Sequence, residues 1–132
     1  AIKIGDVVEV VEDHFSEIGF ENGEEFENFS DFEITSTFKV EGKTNLQKVK
    51  GITVNTVHGN EDSIDRIISR LNPDVESMEG AAIFKVCKEF AVPCMQIRAI
   101  SNKVEKRNRE NWNMPLAIQN LNTTVQQIIV AL

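Results

Sequence analysis

Two short stretches of this chain carry side chains suited to chemistry on a small polar molecule. Residues 77–81 read Ser77-Met78-Glu79-Gly80-Ala81, and residues 98–102 read Arg98-Ala99-Ile100-Ser101-Asn102. Glu79 stands at the mouth of an expected helix. Its simplest role there is to complement the positive helix end, worth about 0.3–1 kcal/mol. Its other role is to accept two hydrogen bonds from a vicinal diol, since a carboxylate offers acceptors only and a ribose 2′,3′-hydroxyl pair offers donors. Met78 is either core filler or an apolar wall under a sugar ring. Gly80 and Ala81 are small enough to let the helix start approach whatever lies there.

Asn102 directly follows an apolar run. It is either a turn residue, for which Asn is well suited, or an amide that contacts a purine. An amide NH2 donates, and so suits N7 and O6 of a 6-oxopurine such as hypoxanthine; a carboxylic acid in its place favours adenine. Asn cannot hand a proton to a leaving base. A catalytic Asn102 would instead stabilise negative charge growing on the purine, with Ser101 orienting either group. Thr56, Val57 and His58 form a third polar cluster at an expected strand end. His58 is a candidate to flank the base, or a solvated turn residue beside Gly59. His14 has no partner evident in the sequence. Arg107, Asn108 and Arg109 read as a solvated loop, or as a lid reaching for a substrate carboxylate. No Gly-rich phosphate loop, metal cluster or Ser-His-Asp spacing is apparent.

The elements that must position these residues follow from hydrophobic period. Residues 5–11 read as a strand, and residues 51–57 as a second, rich in Ile, Val and Thr. Residues 12–48 are acidic, with Phe15, Phe20, Phe26, Phe29, Phe32 and Phe38 at no clean period; they read as loops plus a short strand or helix. Asn60, Glu61 and Asp62 supply a cap and first-turn acids. Ile64, Ile67, Ile68 and Leu71 then mark one face of a helix that Asn72-Pro73 stops. Residues 74–77 are short and β-like. Ile83, Val86, Cys87 and Phe90 repeat the helical spacing. Pro93 opens a strand through Met95, Ile97, Ala99 and Ile100. Ile118, Leu121, Val125, Ile128 and Leu132 make an apolar stripe on a closing helix. Strands alternating with helices imply βαβ units and a mostly parallel sheet. Ligands of such sheets gather outside the carboxyl ends of the strands, so Thr56-Val57-His58, Ser77-Met78-Glu79 and Ser101-Asn102 are expected to converge there.

Bulk properties narrow the partners. The chain has 132 residues, 41% of them hydrophobic and 27% charged, the composition of one globular domain. A net charge of −7 and a pI near 4.8 argue against a nucleic-acid surface and against adhesion to anionic membranes. Cys87 and Cys94 lack ligand spacing and read as reduced core thiols, as in a cytoplasmic protein.

Residues 75–82 (VESMEGAA) and 97–102 (IRAISN) together resemble the nucleoside phosphorylase and nucleosidase superfamily. Residues 98–122 resemble its futalosine hydrolases, with methylthioadenosine/S-adenosylhomocysteine nucleosidases as near relatives. The resemblance is strong over residues 49–132 and weaker over 1–48. It implies a three-layer α/β/α fold with a mixed, mostly parallel sheet. It also implies hydrolysis of the N-ribosidic bond of futalosine, releasing hypoxanthine, on the alternative route to menaquinone. Glu79 would hold the ribose hydroxyls, Met78 would line the sugar with Ser77 beside it, Asn102 and Ser101 would meet the purine, and Thr56, Val57 and His58 would flank it. The adenosine-type relatives carry Asp where Asn102 stands. No cofactor or metal is implied, and relatives suggest a homo-oligomer, a dimer. Residues 4–8 resemble a segment found near mid-chain in the family. The chain is therefore expected to be the C-terminal portion of a single nucleosidase domain, poorly active in isolation, with the water-activating acid in the preceding half. An adenosine-type nucleosidase, a phosphorylase and an inactive nucleoside-binding fragment remain as alternatives.

Overall fold

The computed structural model describes residues 1–29 and 35–132. Phe32 lies outside the described residues. Among the described residues, seven strands and three helices follow one another as β1 (Val7–Phe15), β2 (Gly19–Asn22), β3 (Glu25–Asn28), β4 (Thr37–Lys39), β5 (Gln47–Thr53), α1 (Glu61–Leu71), β6 (Val75–Ser77), α2 (Gly80–Glu89), β7 (Gln96–Ala99) and α3 (Met114–Ala131). A 3-10 turn covers Arg109–Asn111.

β1 is the hub of a mixed, mostly parallel sheet. It runs parallel to β5, and β5 parallel to β6. Along its other edge β1 pairs antiparallel with β7 through residues 7–10 and with β4 through residues 12–14. β2 and β3 form a separate hairpin. Val8 and Val10 of β1 are fully buried with Val49 of β5, against Ile2, Val75 and Ile100.

The helices sit on both faces. Successive strand side chains point to opposite sides, and Ile52 meets Ile67 of α1 while the Thr53 hydroxyl meets Ala81 N–H of α2. α1 begins as expected: Asn60 Oδ1 accepts from Ser63 N–H at 3.2 Å. It ends with Asn72 in the left-handed region at φ 46°, a conformation Asn tolerates, ahead of Pro73. Ile67 packs under Ile52 and Val54 with Leu71 alongside.

α2 is rotated relative to the stripe expected for it. Its packed residues are Gly80, Ala81 and Phe84, set against Phe38, Phe15, Val40 and Cys94. Ile83, Val86 and Phe90 are exposed. The small pair at the helix start lets α2 approach the sheet there, and Phe84 fills the space one turn on. The closing helix differs similarly: Ala117 is buried and Asn120 Nδ2 donates to Gly5 carbonyl at 2.8 Å, whereas Ile118 and Leu132 face out.

Strand bounds also shift. β1 continues to Phe15 because Asp13 and His14, though polar, are buried there, with partners for Asp13 from Thr53 and Gln96. β5 starts at Gln47 and stops at Thr53, after which the Asn55 and Thr56 N–H groups turn onto the Glu17 carboxylate at 3.2 and 3.5 Å. Among the described residues, no helix is long and apolar enough to cross a membrane. Cys87 and Cys94 are free thiols, and burial, then Cys87 beside it, pushes the Cys94 thiol upward.

Candidate active site

The expected convergence of three strand ends is met by two. β5 and β6 are parallel, and Val54 N–H donates to Ser77 carbonyl at 2.9 Å just past both ends. β7 runs the other way beside β1, with Ala99 opposite Val7. Ser101 and Asn102 therefore leave the sheet beside the amino end of β1, where Ile100 exchanges backbone hydrogen bonds with Gly5 and Asp6. β7 is an antiparallel member of the mixed sheet, so its end does not join those of the parallel strands.

Arg98 of β7 bridges the gap. Its Nη2 donates to Glu79 Oε2 at 3.0 Å. Arg98 also lines a cavity of about 640 Å³ whose wall includes Val57, Glu76, Ser101 and Asn102. Ser77, Met78, Glu79, Thr56 and His58 are outside that wall; Glu79 touches it through the guanidinium.

Glu79 stands one residue before the first turn, at the N-cap of α2, without a side-chain cap bond. The cap is Ser77, whose Oγ accepts from Gly80 N–H at 3.2 Å. Freed from capping, the Glu79 carboxylate is 62% exposed and paired with Arg98. Met78 is half exposed beside it. Asn102 Oδ1 accepts from Ser101 Oγ at 2.7 Å, and its NH2 donates once, to Lys103 carbonyl at 3.1 Å. An amide NH2 carries two donors, so one N–H remains to offer a ligand.

His58 is neither a solvated turn residue nor an isolated ring. Its backbone N–H donates to Glu76 Oε1 at 3.0 Å, and its Nδ1 meets Glu76 Oε2. The Glu76 side chain is 7% exposed and reaches the cavity wall from β6. Arg107 and Arg109 both lie over the Trp112 ring, with guanidinium carbons 4.9 and 5.5 Å from its centroid, a stacking arrangement rather than an open reach.

Beneath Glu79 lies a buried carboxylate that leaves no local pattern in the sequence. Asp13 is 1% exposed; Thr53 Oγ1 donates to its Oδ1 at 2.8 Å and Gln96 Nε2 to its Oδ2 at 3.0 Å. Gln96 Oε1 in turn accepts from Arg98 Nε at 2.6 Å. Burial pushes the Asp13 carboxyl upward, against the hydrogen bonds from Gln96 and Thr53 and the charge of Arg98. A Cβ on Gly80 would lie 2.1 Å from Asp13 Oδ2 and 2.5 Å from Gln96 Oε1. Gly80→Ala is therefore expected to cost about 1–3 kcal/mol through forced displacement of these groups, read as a lowered midpoint in urea denaturation.

Comparisons with known proteins agree with this architecture. The family model described as the phosphorylase superfamily matches residues 1–132. A futalosine hydrolase of Acidothermus cellulolyticus is 34% identical over 71 residues, which cover 53% of this chain and 29% of that protein. In structure the chain is similar to a mutant Helicobacter pylori MTAN with 5′-methylthioadenosine in the active site (TM-score 0.83, 16% identity, 99% of this chain and 63% of that one). It is equally similar to the native futalosine hydrolase of Helicobacter pylori (TM-score 0.82, 16% identity, 99% and 62%). The chain thus spans under two thirds of the length of these relatives. With its whole length matched by the family model and its sheet and helices arranged as in these solved structures, the chain belongs to the phosphorylase superfamily.

Proposed function

We propose that this chain supplies the ribose-holding and purine-contacting part of a nucleosidase that hydrolyses the N-ribosidic bond of futalosine and releases hypoxanthine, in menaquinone biosynthesis. What carries the reading is Arg98, which is bonded to the exposed Glu79 carboxylate and shares a cavity wall with Asn102. The 34% identity to a futalosine hydrolase supports the choice of nucleoside.

In this reading Glu79 accepts hydrogen bonds from the two ribose hydroxyls, with Met78 against the sugar. Bond cleavage builds positive charge on the ribose ring as an oxocarbenium-like state. The Glu79 carboxylate faces that charge, and Arg98 holds it in one orientation through the bond to Oε2. The free N–H of Asn102 meets the base as it gains negative charge on departure. Ser101 fixes the amide through its bond to Oδ1, leaving the NH2 to face the purine. Val57 of the cavity wall offers apolar contact to the base. Thr56 and His58 support the loop behind it, since their backbone N–H groups are tied to Glu17 and Glu76. The enzyme acts in the cytoplasm as a homo-oligomer.

Base-release assays decide the substrate. Hypoxanthine is expected from futalosine without added phosphate; preferential release of adenine from methylthioadenosine, or dependence on phosphate, contradicts the reading. Asn102→Asp replaces a donor by an acceptor. It is expected to move the futalosine-to-methylthioadenosine preference toward the adenosine substrate by roughly tenfold or more, measured as the ratio of kcat/KM values.

A further inference from the structure

A buried carboxylate costs several kcal/mol unless hydrogen bonds repay it, so the placement of Asp13 beneath Glu79 requires a reason. We propose that Asp13 is a positioning residue: acting through Gln96 and Thr53, it fixes both the side chain of Arg98 and the backbone that carries Glu79. The proposal rests on the nucleosidase reading for its consequence, though not for its geometry.

Two arms leave Asp13. Along the first, Asp13 Oδ2 accepts from the Gln96 NH2, at 3.0 Å. That orientation leaves the Gln96 oxygen facing Arg98 Nε, at 2.6 Å. With Nε engaged, the planar guanidinium has its remaining donors in fixed directions, and Nη2 falls on Glu79 Oε2. Along the second arm, the one hydroxyl proton of Thr53 goes to Asp13 Oδ1. The Thr53 oxygen is then free to accept from Ala81 N–H at 2.8 Å, two residues beyond Glu79. Both arms thus end on Glu79, one at its carboxylate and one at the helix start that bears it. Gly80 completes the device, because any side chain there would occupy the space of the Asp13 and Gln96 polar groups.

Asp13→Asn tests the polarity of the relay with almost no change in volume. Its amide cannot accept from Gln96 and Thr53 together as the carboxylate does. Either Gln96 turns and presents N–H groups to Arg98, or the Thr53 bond is lost. The primary readout is the Arg98 Nε–H resonance of the full 132-residue chain, assigned by its absence in Arg98→Lys. Its exchange with solvent is expected to be at least about tenfold faster in Asp13→Asn, as expected for loss of one charge-assisted hydrogen bond. Affinity for inosine is expected to fall about tenfold, while affinity for free hypoxanthine, which has no ribose, changes by less than about twofold. If Asp13→Asn does not fold, Gln96→Met cuts the first arm alone, leaves Asp13 on Thr53, and is expected to free Arg98 in the same way. Unchanged Arg98 exchange in a folded variant overturns the positioning role, whether or not nucleosides bind. Faster Arg98 exchange in a protein whose wild type binds no nucleoside upholds the positioning role and removes the nucleosidase reading instead.

Discussion

Replacing Glu79 by Ala is expected to lower ribonucleoside affinity about a hundredfold, the loss of two hydrogen bonds to a charged group at about 1.5–3 kcal/mol each, less the fraction returned by water. Titration calorimetry with inosine and with its 2′,3′-dideoxy analogue checks the cause. The analogue lacks the diol, so its binding is expected to be nearly indifferent to the substitution. The fold should be spared: the carboxylate is mostly exposed, its ion pair to Arg98 is solvent-screened, and such pairs contribute about 0–1 kcal/mol. Equal losses for both ligands would assign Glu79 a structural role. Unchanged inosine affinity would remove it from the site.

The second large effect concerns stability. Glu9 is buried in the middle of β1 and faces the loop that leads into β5. Its oxygens accept from Lys43 N–H at 2.7 Å, Thr44 N–H at 3.0 Å and Thr44 Oγ1 at 2.7 Å, with Lys48 Nζ at 3.1 Å. Burial by itself raises its pKa, but the bonds from Thr44, Lys43 and Lys48 outweigh this and bring it from 4.5 to about 2. Glu9→Leu leaves the Lys43 and Thr44 donors without that acceptor and is expected to cost about 3 kcal/mol at neutral pH, a fall in Tm on the order of 10 °C. The pH dependence has a definite sign. A carboxyl whose folded pKa lies below its unfolded value stabilises the protein above the unfolded pKa, here 4.5. That stability is lost as pH falls toward about 2. Asp13 works in the opposite sense, since its pKa is raised: its ionisation disfavours folding as pH climbs above the usual carboxyl value. Urea midpoints of the wild type should decline between pH 4.5 and 2, and in Glu9→Leu that decline should be much shallower. An equal acid decline in both proteins would contradict the assignment.

What the sequence revealed and hid follows from the kind of signal each feature leaves. α1 was legible to its ends because Asn60, the Ile64-Ile67-Ile68-Leu71 stripe and Asn72-Pro73 are local signals, and local physics sets them. The phase of α2 was not. Its apolar residues outnumber the face it can bury, and the winner was decided by how closely Gly80 and Ala81 allow approach to Asp13. The far end of β1 leaves no such signal, because hydrophobic period cannot register a buried polar run, and Asp13 and His14 are buried. Glu79 and Asn102 were recognisable as chemistry, yet their relation depends on the direction of β7. Four residues with no periodicity of their own cannot reveal that direction. The Glu76–His58 pair and the Asp13–Gln96–Arg98 relay join residues 18, 83 and 2 positions apart, so they exist only once the sheet is formed.

In the proposed site Glu79, bonded to Arg98, and Asn102, which shares a cavity wall with Arg98, hold opposite ends of one nucleoside. A crystal structure with inosine bound is the most direct measurement. Both ribose hydroxyls are expected about 2.7 Å from Glu79 oxygens, and the purine edge within hydrogen-bond reach of the Asn102 amide. Inosine bound with its ribose away from Glu79, or its base away from Asn102, would contradict it.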